Sequence, residues 1–475
     1  MTHPMVQRPP RLLANLWTGQ ASPAAALAPQ VLGWALRQQG AGTPHGGFLA
    51  PSPEAQPWDW RDKRVGWGLV LPDNLQIDPR QRCTAIDAAE PLQRLLVDRP
   101  GSPVLRWSAE AGNGYLHRYD ASGGRRRLAL VSPPGTLGRD TLPRYLLIAA
   151  SPVQVPWSFQ YAANLSHYVG RLDLPCEALA RYVDALVGGW AGAGCDPRAP
   201  LVWSVNHGAP DITDLMDATI SRPVHRSFAQ DADHDFPRLT GLFGADATAA
   251  RLVQELAARR PALVVTTSHG MTGPLDDTGA MQAQLGLPVD HGHRVLDLPS
   301  LTAAWQPDGA IWYSHACCAA GSDATSAYAG LLDGQSDLAG VLAGVARACG
   351  AVTAPLPQAL LGSKRPLRAF VGHVEPTFDW TLRDPATRQP FGAVVQRALY
   401  DRLYAGGGGR PVAWALAQVF DDAATMLGLW ADSLAAFNAG QTGAADAALY
   451  YQIAHLDRQH TVILGDPTVA VSPLQ

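Results

Sequence analysis

A chain of 475 residues is longer than one compact domain usually runs, so two or three packed units are expected. Hydrophobic residues make up 47% and charged residues only 16%, which excludes a disordered chain, and the formal charge of -4 is spread along its length. The one basic run, Arg125, Arg126 and Arg127, follows Gly123 and Gly124 without interleaved aromatic residues and argues against a nucleic-acid surface.

At the amino end, Leu12 to Trp17 is too short for the apolar core of a signal peptide and is broken by Asn15. No stretch approaches the roughly 18 apolar residues of a membrane span, so a cytoplasmic setting is expected. The six cysteines (Cys83, Cys176, Cys195, Cys317, Cys318 and Cys349) show neither a disulfide framework nor paired metal spacing, so a special cysteine is expected to be a nucleophile. Residues 1–140 are rich in Pro, Gly and Trp and read as an accessory region of unassigned fold, with short apolar runs such as Val65 to Leu71.

From Arg144 the texture changes. Tyr145 to Ala149 reads as a buried strand, Glu177 to Trp190 as a helix, and Leu201 to Val205 as a strand ending in Asn206-His207-Gly208. A helix over Ala247 to Arg259 leads into the strand Leu263 to Thr267, and Ala310 to Tyr313 is the next strand. A helix over Asp337 to Ala348 and a strand at Ala369 to Val371 follow. Two helices are then separated by the loop Gly406 to Gly409, and Thr461 to Leu464 closes the pattern before Gly465-Asp466-Pro467. Alternating strands and helices predict a parallel α/β sheet of about six elements with helices on both faces.

In such sheets reactive groups collect at the carboxyl ends of the strands. Two ends stand out: one runs into Ser268-His269-Gly270, the other into Ser314-His315-Ala316-Cys317-Cys318. Neighbouring strands would bring His269 and Cys317 together as base and nucleophile. Gly270 lets the main chain approach a substrate carbonyl, so its N–H and that of Cys317 are candidate oxyanion donors. A helix beginning near Asp323 would lower the thiol pKa. Adjacent Cys318 is the alternative nucleophile, since an Ala-Cys alignment favours Cys317 and a Cys-x-x-Gly-Ser alignment favours Cys318. His315 is expected to pack near the site, and the His207-Gly208 loop to be vestigial or structural.

The order of these motifs resembles the caspase and gingipain clan of cysteine peptidases over roughly residues 140–475. A strand ends in His-Gly, another ends in Ala-Cys 48 residues later, and Gly-Asp-Pro lies near the end; in caspases the histidine precedes the cysteine by about 50 residues. The resemblance implies a caspase/haemoglobinase-type three-layer α/β sandwich with two tandem caspase-like subdomains. Before them lies the accessory region over 1–140, outside the resemblance and expected to gate the groove or recruit a partner; the two subdomains that the resemblance implies are a non-catalytic one over 141–245 and a catalytic one over 246–475. It implies a cytoplasmic endopeptidase with a Cys-His dyad, a protein or peptide substrate, no cofactor, and a regulatory or defence partner protein. Asp323, Glu375 and Asp379, in loops at the same edge, suggest a pocket for a basic residue before the scissile bond. Two alternatives are a catalytically silent peptide-binding relative and a metal-dependent hydrolase built on His291 and His293 with Asp290 and Asp297.

Overall fold

The computed structural model describes residues 6–36, 55–384, 390 and 392–474. Twelve strands form one mixed sheet: β1 (Trp67–Pro72), β2 (Val104–Trp107), β3 (Tyr115–Tyr119), β4 (Arg125–Ala129), β5 (Tyr145–Ala149), β6 (Tyr168–Leu172), β7 (Leu201–Ser204), β8 (Thr240–Phe243), β9 (Leu263–Thr267), β10 (Ile311–His315), β11 (Ala369–His373) and β12 (Thr461–Gly465). Their spatial order is β8-β7-β9-β10-β11-β12-β6-β5-β1-β2-β3-β4. The central strands read as continuous apolar runs because helices flank the sheet, which buries both sides of each strand.

The sheet has two halves. In one, β8, β7, β9, β10 and β11 run parallel and β12 pairs antiparallel to β11. In the other, β6, β5, β1 and β2 are parallel and the β3–β4 hairpin adds antiparallel strands at the far edge. The halves meet where β12 pairs with β6 at Leu464 and Arg171. Gly170 permits this approach, since a Cβ there would lie 2.2 Å from the Gly465 carbonyl oxygen. Buried Asp466 rivets the seam by accepting from Trp67 Nε1 at 3.2 Å and from the Arg99 guanidinium at 2.9 Å. Removing either ionic partner would strand the other in the interior, a loss of about 3–5 kcal/mol.

Three sequence expectations change here. The 1–140 region is not a separate unit, because β1 to β4 extend the same sheet; β1 sits between β5 and β2 with its apolar residues buried. The strands expected together over 141–245 divide, β5 and β6 joining β1 while β7 and β8 pair alongside β9. The sheet accordingly has twelve strands rather than about six. The basic run at Arg125 to Arg127 is the exposed part of edge strand β4, where charge discourages pairing with another chain.

Local signals set the helices around the candidate site. The helix Ala249–Arg259 starts where Thr248 Oγ1 accepts from the Arg251 N–H, and it stops at Arg260 in a left-handed conformation. The helix Asp337–Cys349 is capped by Ser336 and ends at Gly350 with φ of 65°.

Candidate functional site

β7, β9 and β10 are neighbours in parallel register, with Ser204 opposite Thr267 and Thr267 opposite His315. The loops that follow them therefore leave from one edge of the sheet. They carry Asp211, His269 and Cys317.

Asp211 caps the helix Ile212–Met216 by accepting from the Thr213 N–H, and its carboxylate lies 2.9 and 3.1 Å from His269 Nε2. Burial opposes the charged carboxylate, yet the His269 hydrogen bond and charge, with the Thr213 donors, outweigh it and hold Asp211 well below the usual carboxylate range. His269 is fully buried, and its other ring nitrogen, Nδ1, has no partner among the described residues. The arrangement leaves one ring nitrogen oriented by a carboxylate and the other available for a proton.

The loops after β9 and β10 touch backbone to backbone. A Cβ on Gly270 would sit 1.9 Å from the Cys317 carbonyl oxygen, so only glycine fits at this position. The Gly270 and Cys317 N–H groups then point at one acceptor, donating to the Asn15 carbonyl oxygen at 2.9 and 3.2 Å. Two main-chain donors converging on a single peptide carbonyl have the geometry of an oxyanion hole.

Asn15 belongs to the segment Leu12 to Trp17, which lies along this edge with Leu12, Ala14, Asn15 and Leu16 fully buried. Before Asn15 the segment runs antiparallel to residues 377–379. The Asn15 N–H donates to the Thr377 carbonyl, Ala14 bridges Phe378, and the Leu13 N–H donates to Asp379 Oδ1 at 3.1 Å. After Asn15, Leu16–Trp17 pairs parallel with His269–Met271, and the Trp17 ring packs 4.4 Å from that of His293. The amino-terminal segment thus covers the edge of the sheet where His269 and Cys317 lie.

Cys317 and Cys318 are both buried, with their sulfurs 3.3 Å apart. Burial, reinforced by Cys318 and the charge of Glu375, pushes the Cys317 thiol well above its usual range. The expected lowering by a helix start is not found. Asp323 begins no helix; Gly321–Ser322 pairs instead with Val352–Thr353, and the next helix starts at Asp337.

Of the acidic residues expected to select substrate, Asp323 and Glu375 line a small cavity together with Cys317 and Cys318. Glu375 is buried and accepts from the Ala327 N–H and Ser326 Oγ, and burial pushes its carboxyl up to about 7 against those hydrogen bonds. Asp323 accepts from the neighbouring Ala324 N–H. Asp379 holds the covering segment through Leu13.

The histidines rearrange the metal alternative. Asp290 accepts from the Ala249 and Arg294 N–H groups, Asp297 caps the helix Leu298–Ala304, and His291 Nδ1 is 3.1 Å from the Asn206 carbonyl, so these residues do not gather as ligands. His207, Asp211 and His269 do gather, with ligand atoms within 4.8 Å of one another. His207, expected to be vestigial or structural, lies beside His269, its ring 5.6 Å from that of His269 and 4.2 Å from that of His293, with its Nε2 3.3 Å from the Asp290 carbonyl oxygen. His315 packs as expected, with Nδ1 3.0 Å from the Tyr313 hydroxyl and its ring edge-on to His373.

Sequence reasoning missed two residues. Asp211 follows the strand next to the His269 strand, which was the available signal. Asn15 was visible only as a polar break in an apolar run. No described helix is long and apolar enough to cross a membrane. Comparison with known proteins finds no family model, curated protein or solved structure that matches this chain.

Proposed function

We propose that the chain is a cysteine endopeptidase of the caspase and gingipain type, with Cys317 as nucleophile, His269 as base and Asp211 as the residue that positions His269. The observation that carries this reading is the convergence of the Gly270 and Cys317 N–H groups on one peptide carbonyl, beside a histidine whose far nitrogen is held by a carboxylate.

In this mechanism His269 Nδ1 takes the Cys317 proton and the thiolate attacks the substrate carbonyl carbon. The resulting oxyanion is stabilised by the two main-chain donors. As the carbon–nitrogen bond breaks, His269 gives its proton to the leaving amine and a thioester remains. Water, deprotonated by His269, hydrolyses the thioester and returns the thiol. Asp211 fixes the tautomer with the proton on Nε2 and stabilises the imidazolium that forms at each step. Cys317 is favoured over Cys318 because its own N–H completes the cradle.

A second reading rests on the His207, Asp211 and His269 group, which offers the donor set of a three-ligand catalytic metal site. It leaves the main-chain cradle unexplained. Fluorogenic peptides varying only the residue before the scissile bond separate the two. The peptidase reading expects hydrolysis that vanishes in Cys317→Ala and survives a chelator. Hydrolysis that survives Cys317→Ala but stops with chelator and returns with zinc would establish the metal reading instead. Peptide binding without turnover would leave a silent binding module.

A further inference from the structure

The occupant of the cradle is part of the chain itself. We infer that the peptide bond between Asn15 and Leu16 is a self-cleavage site and that the enzyme accepts asparagine before the scissile bond; this rests on the peptidase reading above.

Contacts on both sides of Asn15, two of them rungs of its parallel ladder with His269–Met271, put it where a substrate residue would lie. Its carbonyl oxygen receives both oxyanion donors, at 2.9 and 3.2 Å. The chain before it is held as an added strand, with the Asn15 N–H donating to the Thr377 carbonyl and the Leu13 N–H donating to Asp379. The chain after it leaves along His269–Met271, with the Thr272 N–H donating to the Trp17 carbonyl at 2.8 Å. An extended segment fixed on both sides of one cradled carbonyl holds that carbonyl in the site.

The side chain defines the specificity. Asn15 is fully buried, and its Oδ1 accepts from the Thr377 N–H at 2.9 Å. Aspartate would place a second carboxylate oxygen where the buried Nδ2 now lies without a hydrogen-bond acceptor among the described residues. Arginine or lysine would extend beyond the space that the fully buried asparagine fills. The Thr377 donor fixes a short side chain with an acceptor oxygen, and the cost of burying a charge there disfavours aspartate.

The reaction needs these groups and one water. Cys317 Sγ bonds to the Asn15 carbonyl carbon, the bond to the Leu16 nitrogen breaks, and His269 passes the thiol proton to that nitrogen. Hydrolysis of the thioester leaves a carboxylate on Asn15 and a free amino group on Leu16. Until that cut the segment excludes other substrates, and with Leu12, Ala14 and Leu16 packed in the same apolar cluster as Cys317 it also keeps the thiol buried.

The test uses the full chain as wild type, Cys317→Ala, Asn15→Gln and Asn15→Asp, each checked for folding by thermal melting. Intact mass and amino-terminal sequencing are followed over time, alongside hydrolysis of a peptide with the sequence of residues 11–20. The expected result is a fragment beginning at Leu16 in wild type, none in Cys317→Ala, and formation at least tenfold slower in both Asn15 variants. Cys317-dependent hydrolysis of the peptide while the chain stays whole at Asn15 would overturn the self-cleavage inference alone. Equal rates in wild type and both folded Asn15 variants would overturn the asparagine preference. If neither chain nor any peptide of the panel is cut, the peptidase reading falls with it.

Discussion

The two halves of the sheet are built on the same parallel geometry, and they treat the polar groups at their strand ends in different ways. In the β1 to β6 half, Arg106 lies fully buried in β2 and spends its guanidinium on Asp87 at 2.8 and 2.9 Å and on the carbonyls of Arg82, Thr84 and Pro72. At the strand ends of the β7 to β12 half, His269 Nδ1 and His207 Nδ1, and Nδ2 of Asn15 in the segment lying along them, are buried without hydrogen-bond partners among the described residues. Buried polar groups are ordinarily paired because leaving one unpaired costs about 1–3 kcal/mol. Unpaired buried atoms occur in both halves, Trp107 Nε1 and the Asn164 amide among those of the first; what sets the second apart is that His207 and His269 carry theirs next to each other at neighbouring strand ends, where the peptidase reading would use them.

Substitutions in the two halves should therefore separate activity from stability. The largest expected effect is Cys317→Ala, which should lower peptide turnover by at least about a thousandfold, as loss of a covalent nucleophile does, while Cys83→Ala in the first half leaves it unchanged. His269→Ala comes next, with a loss of roughly a hundredfold to ten-thousandfold because the buried thiol no longer has a base. Both are read from initial rates normalised to folded protein by thermal melting. If His269→Ala matched wild type, the unpaired His269 nitrogen would have no chemical role.

Asp211→Asn should cost roughly tenfold to a thousandfold in turnover by releasing the His269 tautomer. It also carries a signature in pH. The native carboxyl is depressed below its unfolded value of about 3.9, so its contribution to stability is present above that value and is lost as pH falls toward the native one. Wild type should lose more stability between pH 5 and pH 3 than Asp211→Asn does. Equal acid sensitivity in the two would show that the carboxylate is not paired with His269 in solution.

Glu375 has the opposite sign. Burial raises its carboxyl to about 7, so any stability tied to the neutral form is present below its unfolded value near 4.3 and is lost as pH rises through 7. Glu375→Gln, which keeps a neutral acceptor for Ser326 and Ala327, should match wild type at pH 4 and be more stable at pH 8.5. The smallest effect on turnover per folded molecule is expected from Arg106→Met, which should instead destabilise the protein by about 3–5 kcal/mol by leaving Asp87 without its partner. A loss of turnover in folded Arg106→Met would erase the distinction between the halves.

The legible parts of this molecule were those with a local signal. His269, Gly270 and Cys317 stand out because they follow apolar strand runs, and the structure brings their loops together from adjacent parallel strands. The strands Tyr145–Ala149, Leu263–Thr267 and Thr461–Gly465 were read for the same reason. What remained hidden depended on long-range returns of the chain. Asp211 reaches His269 across 58 residues of sequence, and Thr377 meets Asn15 across 362. The strand Val104–Trp107 was obscured by Arg106, whose burial makes sense only once Asp87 and three carbonyls surround it. The thiol was misjudged because a helix start was inferred from small residues, whereas the dominant influence is burial beneath a segment some 300 residues away in sequence.

The central claim is that Cys317, served by His269, is the nucleophile of a peptidase. Its most direct test is covalent labelling with an irreversible electrophile built on the best peptide of the panel, followed by peptide mapping of all six cysteines. The account predicts one adduct per chain, on Cys317, formed in step with loss of hydrolysis and much more slowly in His269→Ala. An adduct on Cys318 instead, or hydrolysis that continues after Cys317 is fully modified, would contradict it.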